Sequence, residues 1–494
     1  MKTLGELFPA PPLPADIRAL PVSGLEYDSR KAGPGSVFFA FKGSSQDGRA
    51  FAPRAVERGA VAVVSESEAP AAFPAPWLQV PHGRRALAEM ARRFFDCPDT
   101  KIRLAGVTGT NGKTTTAYLI DQSLRALGRK TGMVGTVEYR VLDEVRPAVN
   151  TTPESVDLVR IFAEVAAGGG TDCVLEVSSH ALALGRVHGL DFHTAVFSNL
   201  TRDHLDFHTD MEEYFAAKCM LFAGAGGAAP RFVAINADDE WGARIPVAAG
   251  SEALTYGLKE GVSIRAMNVE TGIGGLSFKI SWRGEDYAVA SKLTGLMNVY
   301  NLTAAFAALV TLDVDAVNAA QALSECAGAP GRFERVDRGQ PFLVAVDYAH
   351  TDDALRNVIQ AARKLTSARV IILFGCGGDR DRKKRPLMGR AAAEMSDYVV
   401  VTSDNPRSED PLLIINDILV GVQKCETPYV VLPDRREAIR RAIAEARPGD
   451  VVILAGKGHE DYQVLNQGTI RFDDREVAEQ TLASMGYAGG GERR

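Results

Sequence analysis

The sequence predicts an α/β protein of three domains built on parallel sheets. Three observations carry this. Its 494 residues fill about three domains at ~100–200 residues each. From Lys101 onward, short apolar strand-like runs alternate with glycine or polar loops and helical runs, the pattern of parallel strands with crossover helices. Two breaks, Cys97-Pro98-Asp99 and Gly328-Ala329-Pro330-Gly331, set expected domains at 1–98, 99–330 and 331–494.

In the first hundred residues, strand-like Ser36–Phe41 and Ala60–Val64 alternate with turns. The proline-rich Ala69–Pro81 follows, then a helical pattern over Arg84–Phe95. Next come a buried strand, Ile102–Val107, a glycine loop and a helix, Thr114–Leu127. Cys173–Val177, Ala195–Ser198 and Phe232–Ile235 continue the strands. Gly257–Ala290 reads as a hairpin-rich insertion and Asn301–Val310 as a helix. In the last domain Val370–Phe374 runs into Gly375–Arg380, Tyr398–Thr402 into Ser403–Arg407, and Val451–Ala455 into Gly456–Glu460. Ligands of open α/β sheets bind outside the carboxyl ends of strands, so these three polar loops predict one shared site. Gly489–Arg494 reads as a disordered tail, and no internal repeat is present.

Composition removes several classes. Hydrophobic residues make up 46% and charged residues 24% of the chain, ordinary for a folded globular protein. Lys and Arg total 56 against 62 Asp and Glu, a net charge of −6, which argues against nucleic-acid binding. No uncharged apolar run approaches the ~18 residues of a membrane span, so no membrane insertion is expected. Met1–Leu20 carries Glu6, Asp16 and four prolines without an apolar core, so no secretory signal is expected. Six scattered cysteines with no CxxC pair fit reduced thiols in a cytoplasmic protein.

The chemistry concentrates in a few segments. Thr108-Gly109-Thr110-Asn111-Gly112-Lys113-Thr114-Thr115 lies between a strand and a helix. Glycines there let backbone N–H groups curl around phosphate, Lys113 adds a point charge, and the Thr114 hydroxyl suits Mg²⁺. Val107 stands where the generic loop has its first glycine. Gly375-Cys376-Gly377-Gly378 begins like a dinucleotide fingerprint, but Arg380 takes the last glycine's place. Glu176 ends a buried strand, where a phosphate-loop protein needs a Mg²⁺ ligand. Asp203-His204-Leu205-Asp206-Phe207-His208 packs carboxylates and imidazoles together, read either as a metal site or as a solvated loop with capping aspartates. No cysteine or third histidine stands at zinc spacing. Lys218, alone in an apolar helical run, reads from the residues as a snorkelling lysine.

In order, Gly109–Thr114, Glu176-Val177-Ser178-Ser179-His180, Asp203-His204-Leu205-Asp206, Ala217-Lys218, Asn298-Val299-Tyr300-Asn301, Gly331-Arg332-Phe333-Glu334-Arg335, Asp347-Tyr348-Ala349-His350 and Gly456-Lys457-Gly458-His459-Glu460 resemble the Mur ligases of peptidoglycan synthesis. The resemblance covers nearly the whole chain and is strongest to the branch adding the third peptide residue. It implies a central P-loop ATPase sheet, a C-terminal Rossmann-like domain binding the amino acid, and a smaller N-terminal UDP-binding α/β domain. It further implies ATP as co-substrate on Gly109, Thr110, Asn111, Gly112, Lys113, Thr114 and Thr115, with Asn301, Arg332 and Asp347 on adenine, phosphate and ribose. Thr114 and Glu176 would hold one Mg²⁺ and His204 a second. Lys218 would be carbamylated by carbon dioxide, its carbamate meeting Mg²⁺. Asp28-Ser29-Arg30, Thr151, Thr152, Ser178 and Arg186 would bind a UDP-muramoyl dipeptide. Lys113, Lys218, His204 and Arg332 would act in catalysis. Departures are Leu184, where relatives often have Gln, Ser44-Ser45-Gln46, and Asp352 in place of a usual Pro.

Asp404-Asn405-Pro406-Arg407 resembles the diaminopimelate recognition motif. meso-Diaminopimelate has a carboxylate and an ammonium at both ends, whereas L-lysine lacks the far carboxylate. A guanidinium binds a carboxylate bidentately, and losing that partner costs ~1–3 kcal/mol or more. Arg407 and Arg380 suit the carboxylate, Asp404 and Glu460 the ammonium, with Asn405, Pro406 and Gly456 completing the site; the bland alternative is that Arg407 caps a turn after Pro406. The expected protein is a cytoplasmic, monomeric ligase with small-molecule substrates, forming an amide through an acyl phosphate, with domain closure excluding water. Rivals are a folylpolyglutamate synthetase-like ligase and a P-loop nucleotide switch.

Overall fold

The structure, a computed structural model, describes residues 1–9, 12–43 and 46–487. Ser44, Ser45 and the expected disordered tail Gly489–Arg494 lie outside the described residues. The chain forms two compact units: residues 1–265 with 303–322, and residues 266–302 with 323–494. Parallel α/β sheets build both, as the fold class requires.

The first unit opens on a small parallel sheet, β1 (Gly24–Glu26), β2 (Ser36–Phe39), β3 (Ala62–Ser65) and β4 (Trp77–Gln79), hydrogen-bonded in that order. Every residue of β2 and β3 is buried, as in strands covered on both faces. β4 lies inside the proline-rich stretch; three residues are too few to display a period. Helix α1 (Gly83–Phe94) starts at His82, whose ring accepts the Arg85 N–H, and buries Leu87, Ala88, Met90 and Ala91.

The larger sheet of this unit carries the Gly109–Thr115 loop expected to bind phosphate. Its strands and helices in chain order are β5 (Arg103–Thr108), α2 (Lys113–Ala126), β6 (Thr131–Val134), β7 (Glu138–Val141), β8 (Glu144–Pro147), α3 (Ser155–Ala167), β9 (Asp172–Glu176), α4 (Ser179–Ala183), β10 (Phe192–Phe197), α5 (Met211–Phe222), β11 (Phe232–Asn236) and β12 (Glu252–Gly257). The hydrogen-bonded order is β8-β7-β6-β9-β5-β10-β11-β12, with β7 antiparallel to both its neighbours and every other pair parallel. β5 is therefore central. Glu176 pairs with Val107 on one side and Phe197 with Thr108 on the other, so the ends of β9 and β10 flank the loop that leaves β5.

The second unit contains an antiparallel hairpin, β13 (Gly275–Trp282) and β14 (Glu285–Ser291), within the segment expected to be hairpin-rich. Its main sheet has the order β15 (Glu334–Val336), β16 (Leu343–Asp347), β20 (Val451–Ala455), β17 (Val370–Phe374), β18 (Tyr398–Val401), β19 (Tyr429–Val431). Only β15 is antiparallel. Alternate residues of β17 serve two cores. Ile372 and Phe374 pack with Leu355, Met388 and Ile415, and Ile371 and Leu373 with Ile439 and Leu482. Asp347 is level with Ala455 and Phe374 with Val401, so the loops after these strands leave along one edge. Among the described residues no helix is long and apolar enough to cross a membrane.

Candidate functional site

The first cluster grows from the β5–α2 turn. Gly109 has φ +146°, and a Cβ there would sit 1.9 Å from Ser198 Oγ, so the turn requires glycine. Asn199 Oδ1 accepts the Asn111 N–H (2.9 Å), and Ser198 Oγ donates to Asn111 O (2.6 Å). Lys113 Nζ donates to Gly109 O (3.0 Å) and Thr110 O (2.8 Å). Thr114 and Thr115 are buried in the first turn of α2.

Glu176 is completely buried. It accepts Thr114 Oγ1–H (2.8 Å), the Thr136 N–H (2.8 Å) and Thr136 Oγ1–H (3.1 Å). All these partners are neutral, leaving a desolvated carboxylate that favours an added cation. Thr136 Oγ1 also meets Thr151 Oγ1 at 3.1 Å. Thr152 Oγ1 donates to Glu176 O (2.7 Å) and accepts the Ser178 N–H (3.1 Å). Arg186 reaches Thr152 O (3.0 Å) and Glu154 (3.2 Å), and Arg84 shares that Glu154 oxygen (3.1 Å). Thr151, Thr152, Ser178 and Arg186 thus form one rim joined to Glu176. Ser29 is buried near the end of β1, where Tyr27 Oη donates to Asp157 (2.7 Å); Arg30 is tied to Asp28. Leu184 ends α4, its N–H on His180 O.

Lys218 is 1% exposed, which overturns the snorkelling reading. Its helix turns it inward: Nζ donates to Gly109 O (2.8 Å) and lies 4.4 Å from the Tyr214 ring centroid. Burial, then the nearby Lys113, holds its amine well below the ordinary lysine range. His204 (φ +53°) stacks edge-on against His180 and Tyr214. Burial lowers its pKa, favouring the neutral imidazole that a metal requires; burial takes His180 to about 4. The Asp203–His208 segment does not act as one group. His208 is buried on Ser179 Oγ (3.0 Å), while Asp203 and Asp206 are exposed. Among the described residues no group of three or more His, Cys, Asp and Glu side chains could hold a metal, so an ion here would draw on Thr114, Glu176, phosphate and water.

The second cluster lies at the strand ends of the second unit. A cavity of about 450 Å³ is lined by Arg380, Lys384, Asp404, Arg407, Glu460 and Tyr462 among others, joining the three predicted loops. Asn405 and Gly456 also line it. Asp404 is 8% exposed, and its Oδ1 has no hydrogen-bond partner. Arg407 (φ +54°) donates through Nη1 to Gly378 O (2.7 Å), so part of its guanidinium does fasten the loop while the side chain lines the cavity. Beneath it, fully buried Arg385 binds Glu409 at 2.7 and 3.0 Å, Glu409 accepts the Asp379 N–H (2.6 Å), and Asp379 accepts Ser408 Oγ–H (2.7 Å). Pro406 packs its carbonyl where a Cβ on Gly378 would stand.

Arg332 stacks on Tyr348, 5.1 Å from its centroid, and Asp347 accepts the N–H groups of Phe333 and Ala349, both at 2.8 Å. Burial raises the Asp347 pKa against the pull of Arg332. Gly331 (φ +66°) presses on the last polar loop: a Cβ there would lie 2.1 Å from His459 N and 2.2 Å from Gly458 C. Asn301 is buried in the helix Leu296–Thr311, donating to Asn298 Oδ1 (2.9 Å). Asp352 opens the helix Asp352–Arg363 behind its N-cap Thr351, a position that suits an acid as well as a proline. Sequence reasoning missed Thr136, Glu154, Tyr214, Arg385, Arg435 and Lys457. Two of these had a signal: Thr136 in a Gly-Thr pair directly after a strand, and Lys457 inside the Gly456–Glu460 motif.

Three family models match the chain: "Mur ligase family, catalytic domain" over residues 21–95, "Mur ligase middle domain" over 107–309, and "Mur ligase, glutamate ligase domain" over 331–458. A UDP-N-acetylmuramoyl-L-alanyl-D-glutamate–2,6-diaminopimelate ligase of Solibacter usitatus is 59% identical over 476 residues, 96% of each chain. One of the same name from Geobacillus thermodenitrificans is 48% identical, covering 92% of this chain and 94% of its own. A solved structure of a ligase with that name superposes with a TM-score of 0.74 at 34% identity, covering 98% of this chain and all of its own. A folylpolyglutamate synthase of Mycobacterium tuberculosis, complexed with ADP and AMPPCP, has a TM-score of 0.58 at 17% identity, a likeness of fold alone.

Proposed function

The chain belongs to the Mur ligase family, and we propose that it is the ATP-dependent ligase joining meso-2,6-diaminopimelate to UDP-N-acetylmuramoyl-L-alanyl-D-glutamate. The observation that carries the amino-acid choice is the cavity of the second unit. It presents Arg380, Lys384 and Arg407 together with Asp404 and Glu460, a pairing made for a ligand end that bears both a carboxylate and an ammonium. A nucleotide switch has no use for such a cavity.

The γ-carboxylate of the acceptor's D-glutamate attacks the γ-phosphate of ATP, releasing ADP and giving an acyl phosphate. The amine of diaminopimelate adds to that carbonyl, and the tetrahedral intermediate expels phosphate. A free carboxylate is a poor acyl donor because oxide is a poor leaving group, and phosphorylation removes that obstacle. The protein's task is positioning and charge neutralisation. The Gly109–Thr115 loop cradles the phosphates, and Lys113 turns from the Gly109 and Thr110 carbonyls toward them. Arg332 serves phosphate, Asp347 ribose and Asn301 adenine. Ser29, Thr151, Thr152, Ser178 and Arg186 hold the UDP-muramoyl dipeptide.

Mg²⁺ would be held by Thr114 and Glu176, and a second ion by His204 and Lys218, supplying charge neutralisation at the transferring phosphate. The neutral partners of buried Glu176 support the first ion. The lowered pKa of Lys218 supports the second, because a neutral amine can add to carbon dioxide and lose a proton to give a carbamate anion. Residues 1–98, 99–330 and 331–494 divide the work between acceptor, ATP and amino acid, in a cytoplasmic monomer. The experiment is product mass spectrometry with ATP, the UDP-muramoyl dipeptide, and equal diaminopimelate and L-lysine. The diaminopimelate adduct predominates; a predominant lysine adduct overturns the assignment.

A further inference from the structure

Asp404 and Glu460 come from different loops, and two carboxylates lining one cavity repel each other. Lys457 lies between them. Its side chain is completely buried, and Nζ donates to Tyr462 O (2.6 Å) and Asn405 Oδ1 (3.1 Å). It also stands 3.4 Å from Glu460 Oε2 and 3.5 Å from Asp404 Oδ1, the oxygen with no hydrogen bond. Asn405 Nδ2 closes the ring by donating to the same Glu460 oxygen (2.8 Å). The strand ends below are clamped too. Buried Arg435, paired with buried Asp474 at 2.5 Å, donates to Ser403 O (3.3 Å) and Ala455 O (3.0 Å), the residues just before Asp404 and Gly456.

A buried ammonium is costly unless it is paired and hydrogen-bonded. Here it is, and its partners are cavity-lining groups. We propose that Lys457 is a positioning residue for the incoming amino acid, an internal ammonium that fixes Asp404 and Glu460 and leaves their pair with one net negative charge to receive one ligand ammonium. This rests on the amino-acid assignment made above.

The test compares full-length wild type with Lys457→Met, Lys457→Gln and Lys457→Arg, measuring kcat, the KM of each substrate, and the rise in Tm with diaminopimelate. In Lys457→Met, the KM for diaminopimelate rises at least ~30-fold, the cost of stripping one partner from a buried charge cluster. The KM values for ATP and the UDP-muramoyl dipeptide stay within about twofold, and the diaminopimelate-induced Tm rise is lost. Lys457→Arg, which keeps the charge, recovers part of the KM. Lys457→Gln, which keeps donors without charge, carries the test if the methionine variant does not fold. An unchanged KM for diaminopimelate overturns the proposal, as do three KM values rising in parallel, the mark of a merely structural lysine. In either case wild-type turnover with diaminopimelate leaves the amino-acid assignment standing. A wild type that neither ligates diaminopimelate nor is stabilised by it overturns both.

Discussion

The Gly109–Thr115 loop and the cavity of the second unit are both proposed to handle charged ligands, but they are made differently. The loop is made of backbone. Lys113 and Lys218 both rest on the Gly109 carbonyl, and its shape follows from consecutive residues leaving a central strand. The cavity is made of side chains from four loops. Its floor is three ionic clusters, each built on a buried cation: Arg385 with Glu409 and Asp417, Arg435 with Asp474, and Lys457 with Glu460. A phosphate is generic and needs only N–H groups and charge. A diamino diacid must be told from its decarboxylated relative, and that demands fixed, paired groups of both signs.

The contrast predicts where each region breaks. The largest effect is expected on stability: Asp474→Ala strands the buried Arg435 and lowers unfolding free energy by ~3–5 kcal/mol, measured by urea denaturation of the full chain. A change below ~1 kcal/mol would mean the floor is not held by charge. Next, Lys113→Met cuts kcat about 10²–10³-fold, the scale for losing one preorganised charge at a reacting oxyanion, while the diaminopimelate-induced Tm shift persists. Loss of that shift would couple the two regions more closely than their construction suggests. Arg407→Lys lowers kcat/KM for diaminopimelate about 10–100-fold through loss of the planar fork, with KM for ATP unchanged in steady-state assays.

The smallest effect is a pH slope. Lys218 titrates lower folded than unfolded, so between its depressed native pKa and ~10.4 the unfolded chain binds more protons. Stability of wild type relative to Lys218→Met should therefore rise with pH in that window, by at most about 1.4 kcal/mol per pH unit. Carbamate formation also needs the neutral amine and acts in the same direction. Denaturation midpoints at several pH values, with and without bicarbonate, check it; a flat difference would place the amine outside this account.

The same contrast explains what could be read in advance. Val370–Phe374 and Val451–Ala455 match their strands residue for residue, because continuous apolar runs ending in polar loops have few alternatives. The phosphate loop and Glu176 were readable because each sits at a strand end. β4 was hidden by surrounding prolines. The burial of Lys218 was hidden because α5 is apolar on most sides, so no face of the sequence pointed inward. Arg385 and Arg435 act on partners tens of residues away, Glu409 and Asp474, and Lys457, although it stands in the Gly456–Glu460 motif, reaches across to Asp404 and Asn405. No local pattern marks such pairs, and an isolated Arg or Lys usually reads as solvated surface.

Gly331 gives the end of the molecule a mechanical property. Its backbone lies against Gly458 and His459 with no room for a methyl group, so any side chain at 331 would push on the turn that holds Glu460. Arg332 follows directly in the chain and lies over the Tyr348 ring. A single close backbone approach therefore ties the residue proposed to serve nucleotide to the turn proposed to hold the amino acid, and a side chain at 331 would disturb both at once.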